Sequence, residues 1–349
     1  MSTRGSRLQA RPEGDFKLKM DQAEAHFQRG AELHKQRDLD GAIAEYREGL
    51  RLAPGNPLAH INIGNALLAK GDRDAAIAEY SEAVRLDPNH PVPHVNLGYA
   101  LLGKGDLDGA ITHYREALRL NLDTPSAHNN LGNALFAKGD HEGAITEYRA
   151  VVRLAPDYAP GYVNLGNALA SIGDWDGAAA EYREALRVKP DHAEAHFQLG
   201  NGLSNQGQLD AAIAEYREGL RLKPGDADGH YNLGNALAGK GNLAGAATEY
   251  SESLRANPNF PDAHYNLGSV LSDLGEMDEA IHEFRETLRL RPDSFEARHN
   301  LGRVLMRKGE FDEAIAEFRE VLRLKPGYLM ADVNLAKCLA LKAQRDSKP

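Results

Sequence analysis

Asparagine, histidine and arginine recur along this chain at fixed spacing, and they carry most of its potential chemistry. Asn62, Asn96, Asn130, Asn164, Asn232, Asn266, Asn300 and Asn334 stand at multiples of 34 residues, with Gln28 and Gln198 completing the series. A second row three residues on holds Asn65, Asn133, Asn167, Asn201 and Asn235. A carboxamide both donates and accepts. One per repeat on equivalent helices forms a ladder that satisfies the C=O and N–H of an extended peptide without reading its side chains. The other role open to such a ladder is bonding between neighbouring repeats.

The histidines His26, His60, His94, His128, His196, His230 and His264 share another phase of the same period. Zinc holds its ligands at about 2.1 Å, so donor nitrogens must lie within about 4 Å of one another. Equivalent positions on adjacent helices are about 10 Å apart, and neither "HPVPH" (90–94) nor "HAEAH" (192–196) matches H-E-x-x-H. A packing role is expected, with no metal and no cofactor. Arg51, Arg85, Arg119, Arg153, Arg187, Arg221, Arg255, Arg289 and Arg323 form a third row, and eight of the nine have glutamate three residues earlier. That is surface ion pairing near helix C-termini rather than a phosphate-binding stripe. Cys338 stands alone, without a histidine or acid beside it in the repeat frame, and is expected to be a buried thiol. Every polar row has a periodic explanation, so no catalytic residue is assigned.

These residues must be held by the elements that repeat. The phrases "AHINIGNALLAKGD" (59–72), "AHNNLGNALFAKGD" (127–140) and "GHYNLGNALAGKGN" (229–242) open units of 34 residues. In-phase units run 23–56, 57–90, 91–124, 125–158, 159–192, 193–226, 227–260, 261–294 and 295–328, and 329–349 supplies one more helix and a tail. Ala59, His60, Ile63, Gly64, Ala66 and Leu67 have the i, i+3, i+4, i+7 spacing of an amphipathic helix. A glycine such as Gly71 or Gly105 then suits a helix C′ position, a second helix follows, and proline closes it, from Pro54 to Pro326. The third unit has Leu122 in place of that proline, so its exit turn should be looser. Glycine at unit position 8 costs about 1 kcal/mol in mid-helix. The expected compensation is close approach of the second helix through its alanine at position 20. A single hairpin cannot bury its stripe alone, so stacked units must share one continuous core.

The face of first helices should be apolar early, through Leu58, Ile61, Leu68, Ala69, Val92, Val95, Leu102 and Gly103. Phe197, Tyr231 and Tyr265 make it aromatic later, and His299, Arg303 and Arg307 make it basic at the ninth unit. Such a gradient could set the polarity of a bound segment. The formal net charge of −10 argues against nucleic acid, which demands clustered Lys and Arg. A single cysteine allows no internal disulfide. No run of 18 apolar residues predicts a membrane span, and residues 1–22 lack the apolar stretch of a secretory signal. That stretch reads as a polar, disordered arm, and a cytoplasmic location is the default.

Unit length and the residues Leu131, Gly132, Leu135, Ala144, Tyr148, Val151 and Pro156 of the fourth unit resemble the tetratricopeptide repeat. The match spans 23–349, and histidine replaces the usual aromatic at position 4. The resemblance implies an all-α solenoid, a right-handed superhelix of nine helix–turn–helix repeats with a C-terminal solvating helix whose outer face is polar (Lys337, Lys342, Gln344, Arg345). It also implies that the concave groove or the ends bind peptides or proteins. The asparagine rows resemble the ladder of O-linked N-acetylglucosamine transferase repeat domains, which holds substrate backbones. The family's carboxylate clamp needs a lysine at position 5, which no unit has; only His299 with Arg303 comes near it. The expected function is a non-enzymatic interaction scaffold for an extended peptide or protein surface. The alternatives are a homotypic assembly scaffold that self-associates through its ends or convex face, and the substrate-binding part of a glycosyltransferase-like enzyme lacking its catalytic domain.

Overall fold

The computed structural model describes residues 12–347, with side chains from Phe16 onward. All regular structure among them is helical, in two compact units. The first unit, residues 1–172, holds α1 (Pro12–Lys35), α2 (Leu39–Leu52), α3 (Pro57–Ala69), α4 (Arg73–Leu86), α5 (Pro91–Lys104), α6 (Leu107–Arg119), α7 (Pro125–Lys138), α8 (His141–Leu154) and α9 (Ala159–Ser171). The second, residues 173–349, begins with α10 (Trp175–Val188), α11 (Ala193–Asn205), α12 (Leu209–Leu222), α13 (Ala227–Gly239) and α14 (Leu243–Ala256). It continues with α15 (Pro261–Leu274), α16 (Met277–Leu290), α17 (Phe295–Lys308), α18 (Phe311–Leu324) and α19 (Leu329–Asp346). Within each unit every helix packs on the next in sequence, and first helices of neighbouring repeats also touch, as α3 does α5 and α15 does α17. The architecture is an all-α solenoid of helix pairs.

Short-range chemistry sets the helix ends. Asp38, Asp72, Asp106 and Asp140 each accept from the amide three residues on and cap a second helix. The glycine ahead of each cap, such as Gly105 at φ 87, takes the left-handed conformation that ends the first helix. The first repeat manages this with Arg37 at φ 63. The third repeat, lacking its proline, does differ at its exit. There α6 stops at Arg119 and Asn121 adopts φ 63.

The mid-helix glycines have a different partner from the one expected. A Cβ on Gly132 would lie 2.7 Å from the Tyr148 ring, and one on Gly64 would lie 2.5 Å from Tyr80. The aromatic ring at position 24 occupies the space that a side chain on the glycine would need, while the alanine at position 20 is buried in the same core. Spacing alone shows that two small residues recur, but not which bulky neighbour fills the gap.

Two boundaries also differ. The arm expected over 1–22 is helical from Pro12, with proline in the first turn, where its missing N–H costs nothing. Residues 1–11 lie outside the described residues. At the other end, α19 leaves Leu329, Met330, Val333 and Leu339 exposed beside Lys337, so its outer surface is mixed rather than polar. Lys342 instead bonds Asp312, and the Arg345 guanidinium sits 5.2 Å from the centre of the Phe311 ring.

Candidate peptide-binding surface

Within each unit the asparagines stand on first helices, and their side chains are bonded into the fold. Asn65, Asn133, Asn201 and Asn235 accept the hydroxyl protons of Tyr80, Tyr148, Tyr216 and Tyr250 at 2.7, 2.7, 2.8 and 2.7 Å. Those tyrosines are the rings packed on the mid-helix glycines. Burial pushes the phenols of Tyr80, Tyr148, Tyr216 and Tyr250 up to about 12, which keeps them neutral donors. The second row of asparagines therefore terminates a buried polar contact within its own repeat.

The first row reaches back to the preceding repeat. In the first unit Asn96 donates to Asn65 at 3.4 Å and Asn164 to Asn129 at 2.9 Å. In the second unit Asn232 donates to Asn201 at 3.2 Å, and Asn266 donates to both Asn235 (2.9 Å) and the Tyr231 hydroxyl (3.2 Å). Asn300 donates to the Tyr265 hydroxyl at 3.0 Å. Bonding between repeats is thus real. It uses one N–H of each carboxamide, or both in Asn266, and leaves the oxygens of Asn96, Asn164, Asn232 and Asn266 without a donor among the described residues. Asn62 and Asn130, half-buried in the same row, make no side-chain hydrogen bond among the described residues. Asn167 lines a small hollow with Asn133, Phe136, Tyr148 and Asn164.

The flanking residues depart from the expected row of exposed apolar and aromatic groups, because Ile61 and Phe197 are buried in the core. The first unit exposes Leu58, Val92 and Tyr99. In the second, Tyr231 and Tyr265 are half-buried, each with its hydroxyl accepting from the next repeat. Arg303 and Arg307 line one hollow with Ser269, Ser272, Asp273 and Asn300. Arg307 is held by the carbonyl and hydroxyl of Ser272 at 3.0 and 3.1 Å, and Arg303 by Asn300 at 3.4 Å. Behind them His299 is buried. Burial first, and the Arg303 charge second, hold its imidazole below the usual histidine range.

The histidine row is more than packing. Nδ1 of His60, His128, His196, His230 and His264 sits 2.5–2.7 Å from a glutamate of the same repeat's second helix, as in His264 to Glu283. Nε2 of His196, His230 and His264 sits 3.0 Å from the carbonyl of the preceding repeat's closing proline. In the ninth repeat Arg298 makes both contacts, to Glu317 and to the Pro292 carbonyl. The residue at position 4 is therefore a clip joining its own hairpin to the previous turn. In the third repeat His94 keeps its contact with the Pro88 carbonyl at 3.1 Å but faces His113 in place of a glutamate, with Nδ1 atoms 3.0 Å apart. A second unforeseen ladder binds successive turns, with Lys104 to Asp74 at 2.6 Å, Lys138 to Asp108 at 2.5 Å and Lys240 to Asp210 at 2.8 Å. Both ladders had a signal in the sequence, namely complementary residues 19 or 30 positions apart at a constant phase.

Cys338 is buried, with its sulfur 3.6 Å from the Phe311 carbonyl, and burial pushes the thiol up. Among the described residues no group of three His, Cys, Asp or Glu is placed to hold a metal ion, and no helix is long and apolar enough to cross a membrane.

No curated protein sequence matches the chain. Among solved structures, one from the functional characterisation of Pseudomonas aeruginosa pilF is 22% identical, with a TM-score of 0.54, over 61% of this chain and 97% of that one. YrrB, described as a tetratricopeptide repeat protein with an unusual peptide-binding site, is 23% identical, with a TM-score of 0.49, over 53% of this chain and 95% of that one. MamA is 28% identical, with a TM-score of 0.45, over 46% of this chain and 94% of that one. A tetratricopeptide repeat model matches residues 95–159 and 265–328. A second repeat model matches 30–71, 64–105, 166–206, 203–241 and 234–275, more than half of the sequence. With the helix pairs, the 34-residue period and the ring-on-glycine packing, these matches make the chain a member of the tetratricopeptide repeat family.

Proposed function

We propose that this repeat protein is an interaction scaffold that holds an extended peptide segment along its face of first helices. The supporting observation is the state of the carboxamides. Inter-repeat bonds fix Asn96, Asn164 and Asn232 in position while each keeps an oxygen and one N–H for a ligand. Asn62 and Asn130 keep both ends of the carboxamide. Groups fixed in advance lose little entropy on binding. A carboxamide pairs with a peptide backbone irrespective of side chains, so capture should be broad in sequence. In the second unit the basic spot at Arg303 and Arg307 favours an acidic group on a segment held there.

The test separates binding from folding by choosing the two rungs that support no neighbour. Replacing Asn62 and Asn130 with alanine should leave helicity and melting nearly unchanged. It should weaken capture of unrelated extended peptides by about tenfold, the loss expected from two net hydrogen bonds of about 0.5–1.5 kcal/mol each. Equal affinity in the double variant, measured by fluorescence anisotropy on several labelled peptides, removes the ladder as a binding device.

A further inference from the structure

The repeat frame allows one position to be compared with its own copies. Position 34, the last residue of a repeat, is aromatic three times, as Tyr158, Phe260 and Tyr328. In two of these repeats a second ring from position 5 packs against it. Tyr231 packs against Phe260 with ring centroids 4.8 Å apart and planes tilted by 40°, and His299 meets Tyr328 edge-on at 5.3 Å. Phe260 and Tyr328 are accordingly half-buried. In the fourth repeat position 5 is Asn129, whose oxygen accepts from Asn164 at 2.9 Å. No ring stands there, and Tyr158 is 43% exposed. It lines a hollow of about 400 Å³ together with Pro125, Ala155, Asp157 and the unbonded Asn130. A dry apolar cavity of about 150 Å³ suffices to bind benzene, so this hollow has room for a ring.

We infer that this hollow in the fourth repeat is a subsite for an aromatic side chain of the bound segment. That ring enters beside Tyr158, where the chain supplies its own ring in the seventh and ninth repeats. The inference rests on the proposed capture of an extended segment, because Asn130 belongs to that ladder and also walls the hollow. Pro125 and Ala155 supply apolar contact, and Tyr158 supplies a face or an edge to the incoming ring, the geometries that aromatic pairs prefer. Asn130 stands beside the opening to take the backbone of the same residue. Asp157 is an acceptor at the rim, suited to the N–H or O–H of an indole or a phenol. Readout of an aromatic residue would then come from this hollow, beside carboxamides that do not discriminate between side chains.

The experiment is an NMR titration of the full chain with N-acetyl-phenylalaninamide, using N-acetyl-alaninamide as control. It follows the Asn130 side-chain NH₂ and the Tyr158 ring protons. The phenylalanine derivative should shift both saturably and the alanine derivative should not. Asn129→Phe restores the ring that Tyr231 provides against Phe260, and should weaken the response by about tenfold or more, an aromatic pair's contribution together with its buried area. Tyr158→Ala removes the lining ring without crowding the hollow and should weaken it likewise, so the test survives if Asn129→Phe misfolds. The inference is overturned if no saturable shift appears at up to about 50 mM, far above the about 1 mM expected of a weak ligand. It is overturned equally if the variants bind as the native chain does. If ring-free peptides are captured while the amide fails, the subsite falls and the backbone ladder stands. If the amide binds while no peptide is captured, the ladder falls and the hollow remains as a small aromatic-ligand site.

Discussion

Tyr114→Phe should stabilise the protein, whereas the same change at Tyr148 should destabilise it. Both tyrosines occupy position 24, and both rings pack on the mid-helix glycine of their repeat. Tyr148 donates its hydroxyl proton to Asn133 at 2.7 Å. Position 9 of the third repeat is Tyr99 instead of asparagine, and the Tyr114 hydroxyl is buried with no hydrogen-bond partner. Burial, and next the Tyr99 phenol, push the Tyr114 hydroxyl further above its ordinary range, so it cannot escape by ionising. A buried donor left unpaired costs about 1–3 kcal/mol, whereas a satisfied one contributes about 0.5–1.5 kcal/mol net. Removing the oxygen should therefore gain about 1 kcal/mol or more at Tyr114 and lose about 1 kcal/mol at Tyr148. In a unit of 172 residues that corresponds to about 2–4 °C of melting temperature in opposite directions. Tyr99→Asn supplies the missing acceptor and should also stabilise, since Tyr99 is 56% exposed and little packing is lost. Urea melts of the three variants, followed by circular dichroism, decide it. If Tyr114→Phe and Tyr148→Phe shift the midpoint in the same direction by similar amounts, the reasoning from hydroxyl partners fails.

Two more predictions concern the core and the pH response. Gly132→Ala gains about 1 kcal/mol of helix propensity, but its Cβ would stand 2.7 Å from the Tyr148 ring. Overpacking at about 1–3 kcal/mol should win, and a raised urea midpoint would show that the ring yields freely. Burial, and then the charge of His94, hold His113 below the ordinary histidine value, outweighing Asp106 and Glu116, which pull the other way. His299 is lowered by burial and by Arg303. A folded value below the unfolded one gives stability that is complete above about pH 6.5 and is lost as the pH falls through the folded values. Urea midpoints should drop on acidification from neutral pH. His113→Glu, which installs the pairing that His60 has with Glu79, should reduce that drop, and an unchanged slope in the variant would count against the His94–His113 contact as its origin.

The helix pairs and their ends were legible because their signals are local and repeated. One glycine in a left-handed turn or one aspartate at a cap is weak evidence, but the same residue at a single phase along the chain is strong. The asparagine ladder was legible as a row and ambiguous as a device. Spacing puts Asn232 next to Asn201 in a neighbouring repeat, but only coordinates show an N–H spent on that neighbour at 3.2 Å. The histidine clips were misjudged as packing for the same reason. His264 and Glu283 are 19 residues apart on different helices, and their 2.5 Å contact depends on how the hairpin closes. The start of α1 at Pro12 was missed because a polar, charged segment suits a helix as well as an arm until the repeat it extends is placed.

The sequence by itself determined the period, the solenoid, the turns between helices and the family, because each follows from residue types at fixed offsets. Tertiary structure decided which atoms meet. It paired aromatic rings with the mid-helix glycines and fixed carboxamides to the preceding repeat. It left the Tyr114 hydroxyl without a partner, and it opened a hollow beside Tyr158 where two sister repeats keep a ring. The physical reason is that periodicity specifies a residue's place on its own helix. A hydrogen bond or a cavity depends on distances between helices, and those are set by the whole packed core.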